Sequence, residues 1–328
     1  MLPDSRYRPT IRPRSKRSPE YSTGWWFAGA AGFNRNPQNW TAPMVPYEAF
    51  HDTGEETLVG GVVVPAGGSA AQDLDIALDA LFNHPNVGPF IGKQLIQKLV
   101  TSNPSPAYVA RIAAVFNDNG AGMRGDLKAV VRAILLDDEA RRGTDAFANF
   151  GKAREPLLTL MHLWRAYNAA PAPSTARYTY LNAGPDFGQA PLGSPSVFNF
   201  FSPFYAPTGA ISGAQLVAPE FQLANESSID SSYNRLYTAI FRDYAGNSSS
   251  PASAIRIDLA PLMAIPNDAP ALIESLNSTL TSGQMTTAYK NSLVGYLNGL
   301  STSSDGGRAR VQNALYLVIT SPQYQVQK

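Results

Sequence analysis

Apolar side chains recur at intervals of three and four residues in several separate segments of this chain. The segment GDLKAVVRAILLDDEARR shows the pattern most clearly, with apolar residues at Leu127, Val130, Val131, Ile134 and Leu135. This spacing places all five on one face of an α-helix. Asp126 stands directly before them, where its side chain can act as an N-cap. The pattern predicts a helix that begins after Asp126.

The same spacing recurs in other parts of the chain. Ser105 and Pro106 precede an apolar stripe in SPAYVARIAAVF, as an N-cap residue and a proline in the first helical turn do. Similar stripes occur in REPLLTLMHLWRAYN and over residues 311–319. Further helices are expected at about 72–83, 88–101, 227–243, 268–281 and 286–299. The predicted fold class is all-α, with long irregular loops rich in Gly, Pro and aromatic residues and at most a minor hairpin around Thr57–Pro65.

Composition shifts suggest three regions. Residues 1–22 carry six basic and two acidic side chains and are expected to form a disordered basic arm. Residues 23–225 are expected to form the main helical domain, which includes an aromatic-rich loop over 170–215. Residues 226–328 are expected to form a helical C-terminal lobe packed on that domain.

Overall charge and cysteine content exclude several classes of function. The net charge is +1, which gives the whole molecule no long-range attraction to nucleic acid. The chain has no cysteine, so disulfides and cysteine-ligated metal sites are excluded. The sequence contains no run of about 18 apolar residues, so no membrane span is expected.

The three histidines, His51, His84 and His162, are candidates for acid–base chemistry. No two lie four residues apart, so they do not form a helical metal-binding pair. Asp52 follows His51, and a neighbouring carboxylate can orient an imidazole, although adjacent strand residues point to opposite faces. Two interpretations stay open: His51–Asp52 ties the irregular front of the chain to the helices, or His51, Asp52 and His84 are catalytic. No metal and no cofactor are expected.

Ligand-binding candidates lie in the aromatic-rich segments. Asp186 lies in the loop over 170–215 and Glu220 lies in APEFQ, and this loop can line a groove. Trp25 and Trp26, together with Trp40, lie in the glycine-rich front, where they can stack on sugar rings or serve ordinary packing. The segment GSPSVF lacks the second glycine of a nucleophile elbow. A complete catalytic motif is therefore not recognisable.

Several segments together resemble one bacterial family, domain of unknown function 1800. The similar segments are TGWWFAG, HDTGEETLVGG, LDALFNHPNVGPFIGKQLIQKLV, GDLKAVVRAILLDDEAR, KAREPLLTLMHLWRA, GQAPLGSPSVFNFFSPFY and ALYLVITSPQYQVQK. The resemblance covers roughly residues 22–328 and implies a largely helical, usually exported protein, periplasmic or extracellular. It also implies a partner from domain of unknown function 1501, whose gene is often adjacent.

The resemblance singles out recurring positions but carries no catalytic role to them. The matching positions are His51, Asp52, Gly54, Gly60, His84, Pro85, Lys93, Leu95, Arg154, Pro156 and Gln189. Lys93, Arg154 and Gln189 are taken as ligand-binding candidates, since Lys93 and Arg154 can bind an anion or pair with Asp52. The chain shows no signal peptide and is expected to correspond to a C-terminal portion of a longer family member.

Two functions are consistent with these residues. One is an envelope or extracellular protein that binds a protein partner or polysaccharide without catalysis. The other is a hydrolase of carbohydrate or ester substrates that uses residues around His51, His84 and the loop over 184–205. A hydrolase predicts that His51, Asp52, His84, Lys93 and Arg154 converge in one pocket.

Overall fold

A computed structural model describes most of the chain and confirms the all-α fold class. The described residues are 22–32, 38–171, 183–196, 199–242 and 254–328. The protein is 53% helical, and the described strands form only two-stranded antiparallel sheets. The predicted basic arm, apart from residue 22, lies outside the described residues.

The chain divides into two compact units. Unit 1 is Met1–Phe90 and unit 2 is Ile91–Lys328, so the boundary falls within helix α2 (Val87–Leu99). The division expected near residue 226 stays a prediction.

Unit 1 consists of two short antiparallel strand pairs followed by helix α1 (Ala70–Phe82). The strands are β1 (Trp25–Trp26) paired with β2 (Val45–Pro46), and β3 (Glu56–Thr57) paired with β4 (Val63–Val64). The second pair confirms the predicted hairpin. Its Val64 is buried, so the hairpin contributes to the small core of this unit.

Helix α1 begins with two acceptors for its free backbone N–H groups. The Ser69 hydroxyl accepts from the backbone N–H of Gln72, and the Gln72 side chain accepts in return from the backbone N–H of Ser69. Glu48 Oε2 accepts from the backbone N–H of Ala70 at 3.1 Å. A capping box and a carboxylate at a helix N-terminus are both stabilising. These contacts fix where α1 starts.

Unit 2 contains the remaining helices and strands. The helices are α3 (Pro106–Asn117), α4 (Leu127–Leu136), α5 (Asp138–Arg142), α6 (Pro156–Ala166), α7 (Ala183–Phe187), α8 (Ala210–Gly213), α9 (Glu226–Phe241), α10 (Ala260–Met263), α11 (Ala269–Thr281), α12 (Thr287–Asn298), α13 (Arg308–Ile319) and α14 (Pro322–Gln325). The strands are β5 (Lys152–Ala153) paired with β8 (Val326–Gln327), and β6 (Ala170–Pro171) paired with β7 (Ile255–Arg256). Within the described residues, no helix has the length and apolarity needed to cross a membrane.

The predicted helix starts at Ser105 and Asp126 are confirmed. Each side chain accepts a hydrogen bond from a backbone N–H three residues later, at 3.1 Å. The helical face of α4 is narrower than the pattern predicts, however. Val130 and Ile134 are fully buried, whereas Leu127 and Leu135 are about half exposed. The apolar stripe of α4 therefore packs along its centre only.

The core of unit 2 is built mainly from α6, α9, α11 and α13. Helix α13 buries all five residues of its predicted stripe, Val311, Ala314, Leu315, Val318 and Ile319. Leu160 and Leu163 of α6 and Leu272 and Leu276 of α11 belong to the same buried cluster. Segments far apart in sequence are therefore held by one apolar interior.

The aromatic segment over 170–215 is less irregular than expected. Its described part holds the short helices α7 and α8, and Phe187 and Phe201 are buried. Phe204 is largely exposed. Residues 172–182 and 197–198 of this segment lie outside the described residues.

Candidate functional site

His51 is held on both ring nitrogens within unit 1. Its Nε2 lies 2.9 Å from Asp73 Oδ2, and both side chains are almost fully buried. Its Nδ1 lies 3.3 Å from both the hydroxyl and the carbonyl oxygen of Thr23. The carboxylate partner of His51 is therefore Asp73 of α1, and the ring connects the front of the chain to that helix.

The backbone of His51 explains why residue 24 is a glycine. Gly24 has φ +80°, and a Cβ atom there would lie 3.0 Å from the backbone nitrogen of His51. A glycine accepts both the left-handed backbone and this close approach. The residue thus lets the first strand pair lie against the His51 backbone.

Asp52 and His84 make local contacts. The Asp52 backbone N–H donates to the Thr23 hydroxyl at 2.8 Å, and its side chain accepts from the backbone N–H of Gly54 at 3.0 Å. His84 Nδ1 accepts from the backbone N–H of Asn86 at 3.2 Å. Both side chains therefore organise turns, and their catalytic role stays a prediction.

Aromatic side chains of the glycine-rich front form a cluster that ends at the surface. The ring of Phe27 packs edge-on against Trp26 at 5.2 Å and against Trp40 at 4.9 Å between centroids. Of the three tryptophans predicted to stack on sugar rings, Trp25 and Trp26 are half-buried. Trp40 is 78% exposed and is the indole of this cluster that faces solvent.

The turn around Trp40 is fixed by its neighbour. The Asn39 side-chain oxygen accepts hydrogen bonds from the Thr41 backbone N–H, the Thr41 hydroxyl and the Ala42 backbone N–H. Such a turn restricts the backbone on which the indole stands. Trp40 is thus presented to solvent from an ordered turn and a rigid aromatic support.

Glu220 belongs to a buried ion pair in unit 2. Its Oε1 lies 3.4 Å from Lys152 Nζ, and both side chains are less than 5% exposed. Lys152 Nζ also donates to the backbone carbonyl of Lys98 at 2.7 Å, and the Ser102 hydroxyl lies 3.5 Å from Glu220 Oε2. Glu220 also lines a largely apolar cavity of about 150 Å³. The pair joins α2 and β5 to the 3-10 turn Pro219–Gln222.

Gln189 and Asp186 have protein partners as well. Gln189 Nε2 donates to Glu155 Oε2 at 2.6 Å. Asp186 Oδ1 lies 3.0 Å from Arg235 Nε, which connects α7 to α9. Both residues therefore hold the aromatic segment to the helices, and their role in ligand binding stays a prediction.

Lys93 lines a cavity of about 580 Å³ in unit 2. Its ammonium lies 5.4 Å from the ring centroid of Phe204. Asn103 and Val217 also line this cavity. The Asn103 side chain donates to the Val217 carbonyl and accepts from the Val217 backbone N–H, both at 2.9 Å.

Arg154 lies in a different environment, beside two aromatic rings. Its guanidinium carbon is 4.4 Å from the ring centroid of Tyr324, and its Nη1 is 3.5 Å from His162 Nδ1. The imidazole of His162 stacks on the Tyr324 ring, and its Nδ1 lies 2.9 Å from the phenol oxygen. Burial, together with the charges of Arg154 and Arg165, lowers the pKa of His162. This environment therefore favours the neutral form of the imidazole.

The predicted residues belong to both units. His51, Asp52 and His84 lie in unit 1, and within unit 2 Lys93 and Arg154 line different described cavities. In the described part of the chain, no three His, Asp or Glu side chains cluster as metal ligands would.

The sequence analysis missed Asp73, Lys152 and the contact of His162 with Tyr324. The capping residue Ser69 marks Asp73 as lying in a first helical turn, but no sequence signal names its partner.

One family model matches nearly the whole chain. The model of one family, described as "Protein of unknown function (DUF1800)", matches residues 21–326. No curated protein and no solved structure matches the chain. The match gives no support to the expectation that the chain is a C-terminal portion of a longer member. Because the match covers nearly the whole chain, this protein belongs to the DUF1800 family.

Proposed function

We propose that this protein is an exported binding protein that holds polysaccharide through the aromatic cluster of unit 1, without cleaving it. The observation that carries the proposal is Trp40, an indole that is 78% exposed and yet supported by Phe27 and by the Asn39 turn. Single exposed apolar side chains are common on protein surfaces. The proposal therefore rests on the combination of exposure, contact with the Phe27 and Trp26 rings, and the turn that Asn39 holds.

The charge around Trp40 favours neutral sugar rings as the ligand. Residues 22–32 and 38–47, which are the described parts of this front segment, contain no Asp, Glu, Lys or Arg, while Arg35 lies between them outside the described residues. The described part of this aromatic surface, with its amide and hydroxyl groups, suits the apolar face of a pyranose ring and its hydroxyl rim. A surface for an anionic ligand would need basic side chains instead.

The magnitude of one stacking contact is sufficient for measurable binding. If a sugar ring covers about half of an indole, roughly 100 Å² of apolar surface leaves water, which contributes about 2 kcal/mol. Such a contribution corresponds to more than tenfold in affinity. Replacing Trp40 alone should therefore cause a large loss of binding affinity.

The hydrolase alternative has less support. His51 is buried against Asp73, and Glu220 is buried against Lys152, so each of these groups already has a structural partner. A general acid or base must reach the substrate directly or through one water. The export of the protein and its association with the domain of unknown function 1501 family are part of the proposal through the family resemblance alone.

The proposal is tested by sedimenting the full chain with insoluble cellulose, chitin and peptidoglycan. The expected result is that at least one polysaccharide retains the protein, and that Trp40→Ala weakens this binding about tenfold or more. Trp40→Phe should keep part of the affinity because it keeps an aromatic face.

The matched control is Phe90→Ala, which removes another exposed aromatic ring of unit 1 outside the front segment. This variant should bind as the unmodified protein does. Retention of none of the three polysaccharides, or equal binding by Trp40→Ala, would contradict the proposal.

A further inference from the structure

Arg154 has no carboxylate partner among the described residues. Its Nε donates to the backbone carbonyl of Tyr324 at 3.3 Å, and its Nη1 approaches His162 Nδ1. None of the ion pairs among the described residues includes Arg154. Since a guanidinium carries five N–H donors, several of them remain available.

His162 Nδ1 has two polar neighbours. The phenol oxygen of Tyr324 lies 2.9 Å away and can donate or accept, whereas Arg154 Nη1, at 3.5 Å, can only donate. Among the described residues, His162 Nε2 forms no hydrogen bond. The Nε2 edge of the ring is therefore open to a ligand.

Both side chains line a polar cavity of about 230 Å³ in unit 2. Other polar residues along its wall are Thr281, Ser282, Gln284 and Lys328, and none of the residues that line it is Asp or Glu. Gln284 Nε2 donates to the main-chain oxygen of Lys328 at 3.2 Å, so this part of the wall also presents an acceptor. A water molecule occupies about 30 Å³ in the liquid. The cavity therefore has room for an anionic group of several atoms beside the guanidinium of Arg154.

We propose that this cavity binds a small oxyanion, a carboxylate or phosphate group, with Arg154 as its principal ligand. A planar guanidinium matches both groups with two parallel hydrogen bonds. The contact with the Tyr324 ring and the Nε–H bond to the Tyr324 carbonyl restrain the guanidinium before the anion arrives, which reduces the entropic cost of binding. His162 lines the same cavity beside it.

The neighbouring apolar cavity is a poor site for the same anion. Arg154 lines that cavity too, but Glu220 is also in its wall and would repel a negative charge. The polar cavity has no acidic side chain. The oxyanion is therefore assigned to the side of Arg154 that faces His162 and Gln284.

The two proposals rest on different residues, Trp40 of unit 1 and Arg154 of unit 2. Loss of one activity need not affect the other. The test can therefore fail or succeed independently of the polysaccharide experiment.

The test follows the Nε–Hε resonance of Arg154 by NMR in the full chain. Inorganic phosphate and sodium acetate are titrated separately, with sodium chloride used to hold ionic strength constant. The expected result is a saturable shift with at least one of the two probes, and the probe that binds more tightly identifies the group. A shift that grows linearly with both probes, or no shift, overturns the proposal.

Gln284→Glu provides the decisive variant because it keeps Arg154 and its stacking intact. Gln284 is an exposed residue of the cavity wall, and a carboxylate there should weaken probe binding about tenfold by repulsion and by pairing with Arg154. Asn291→Asp is the control, since it makes the same charge change at an exposed position of α12 outside this wall. It should change affinity less than twofold, and equal binding by Gln284→Glu would overturn the assignment.

Discussion

Nε2 of His51 lies 2.9 Å from Oδ2 of Asp73, and this bond joins two buried side chains that are 22 residues apart in sequence. Thr23 holds the other ring nitrogen. Three segments of unit 1 thus meet at one imidazole: the front strand pair, the loop after the 3-10 turn Glu48–Phe50, and α1. His51 therefore links these three segments by hydrogen bonds. The next stability predictions follow from this role.

Replacing His51 by Ala should destabilise unit 1 strongly. The change leaves the Asp73 carboxylate buried without a partner on Oδ2, while its Oδ1 already has no hydrogen-bond partner among the described residues. Removing one member of a buried pair costs about 3 kcal/mol. Chemical denaturation monitored by circular dichroism measures the loss.

The control for His51 is His84→Ala. His84 is half-buried and accepts one bond from a backbone N–H, so its removal should cost about 1 kcal/mol. An equal loss of unfolding free energy in the two variants would contradict the role of His51 in linking the three segments.

Replacing Gly24 by Ala should cost more than the same change at Gly29. Both glycines have similar positive φ angles, +80° and +76°, and pay the same backbone penalty of about 1 kcal/mol. Only at Gly24 does the new Cβ meet the His51 backbone, at 3.0 Å. The difference in unfolding free energy between the two variants therefore measures this close approach, and a difference of zero would show that the backbone relaxes freely.

Helix positions could be predicted because the apolar period and the capping residues are local signals. Ser105, Asp126 and the stripe of α13 are where the pattern placed them. The pattern also placed Leu127 and Leu135 on the buried face, but both are about half exposed. The apolar period alone does not predict how much of a helix face its neighbours cover. The division into units was not accessible either, because it depends on which helices pack together.

Glu220→Gln should destabilise unit 2 because it leaves the ammonium of Lys152 buried without its counter-charge. The expected cost is about 3–5 kcal/mol. The double variant Lys152→Met with Glu220→Leu should recover most of this loss, since well-packed apolar residues often replace a buried pair without cost. Thermal and urea unfolding of the three proteins measure both effects.

Asp138→Asn is the matched control for the buried pair. Arg142 and Asp138 form an exposed pair four residues apart on α5, and such pairs contribute about 0.5 kcal/mol or less. An effect of Glu220→Gln as small as this would mean that water reaches Lys152.

The pKa of His162 should lie below its ordinary value of 6.5, mainly because of burial and secondarily because of Arg154 and Arg165. The unfolded chain then binds a proton at higher pH than the folded chain does. The contribution of His162 to stability is therefore complete above about pH 6.5 and is lost as the pH falls toward the folded pKa. An NMR titration of the imidazole C–H resonances measures the pKa directly.

Arg154→Gln should raise the pKa of His162 toward 6.5 without reaching it, because burial remains the larger cause. A pKa of His162 above 6.5 in the unmodified protein would contradict the assigned environment.

The functional residues were harder to predict than the helices. Sequence proximity suggested Asp52 as the partner of His51, whereas the fold supplies Asp73 from a helix that begins 19 residues later. Similarly, Trp25 and Trp26 were indistinguishable from Trp40 by residue type alone. Exposure separates them, and exposure depends on how the strand pair and Phe27 pack.

Binding and turnover measured on the same polysaccharide test the central claim most directly. The full chain and its His51→Gln variant are incubated with the polysaccharide that retains the protein best, and both bound protein and released reducing ends are recorded. The account predicts binding without release of reducing ends above the protein-free control. Release that the unmodified chain produces and a folded His51→Gln variant does not would contradict it and establish a hydrolase.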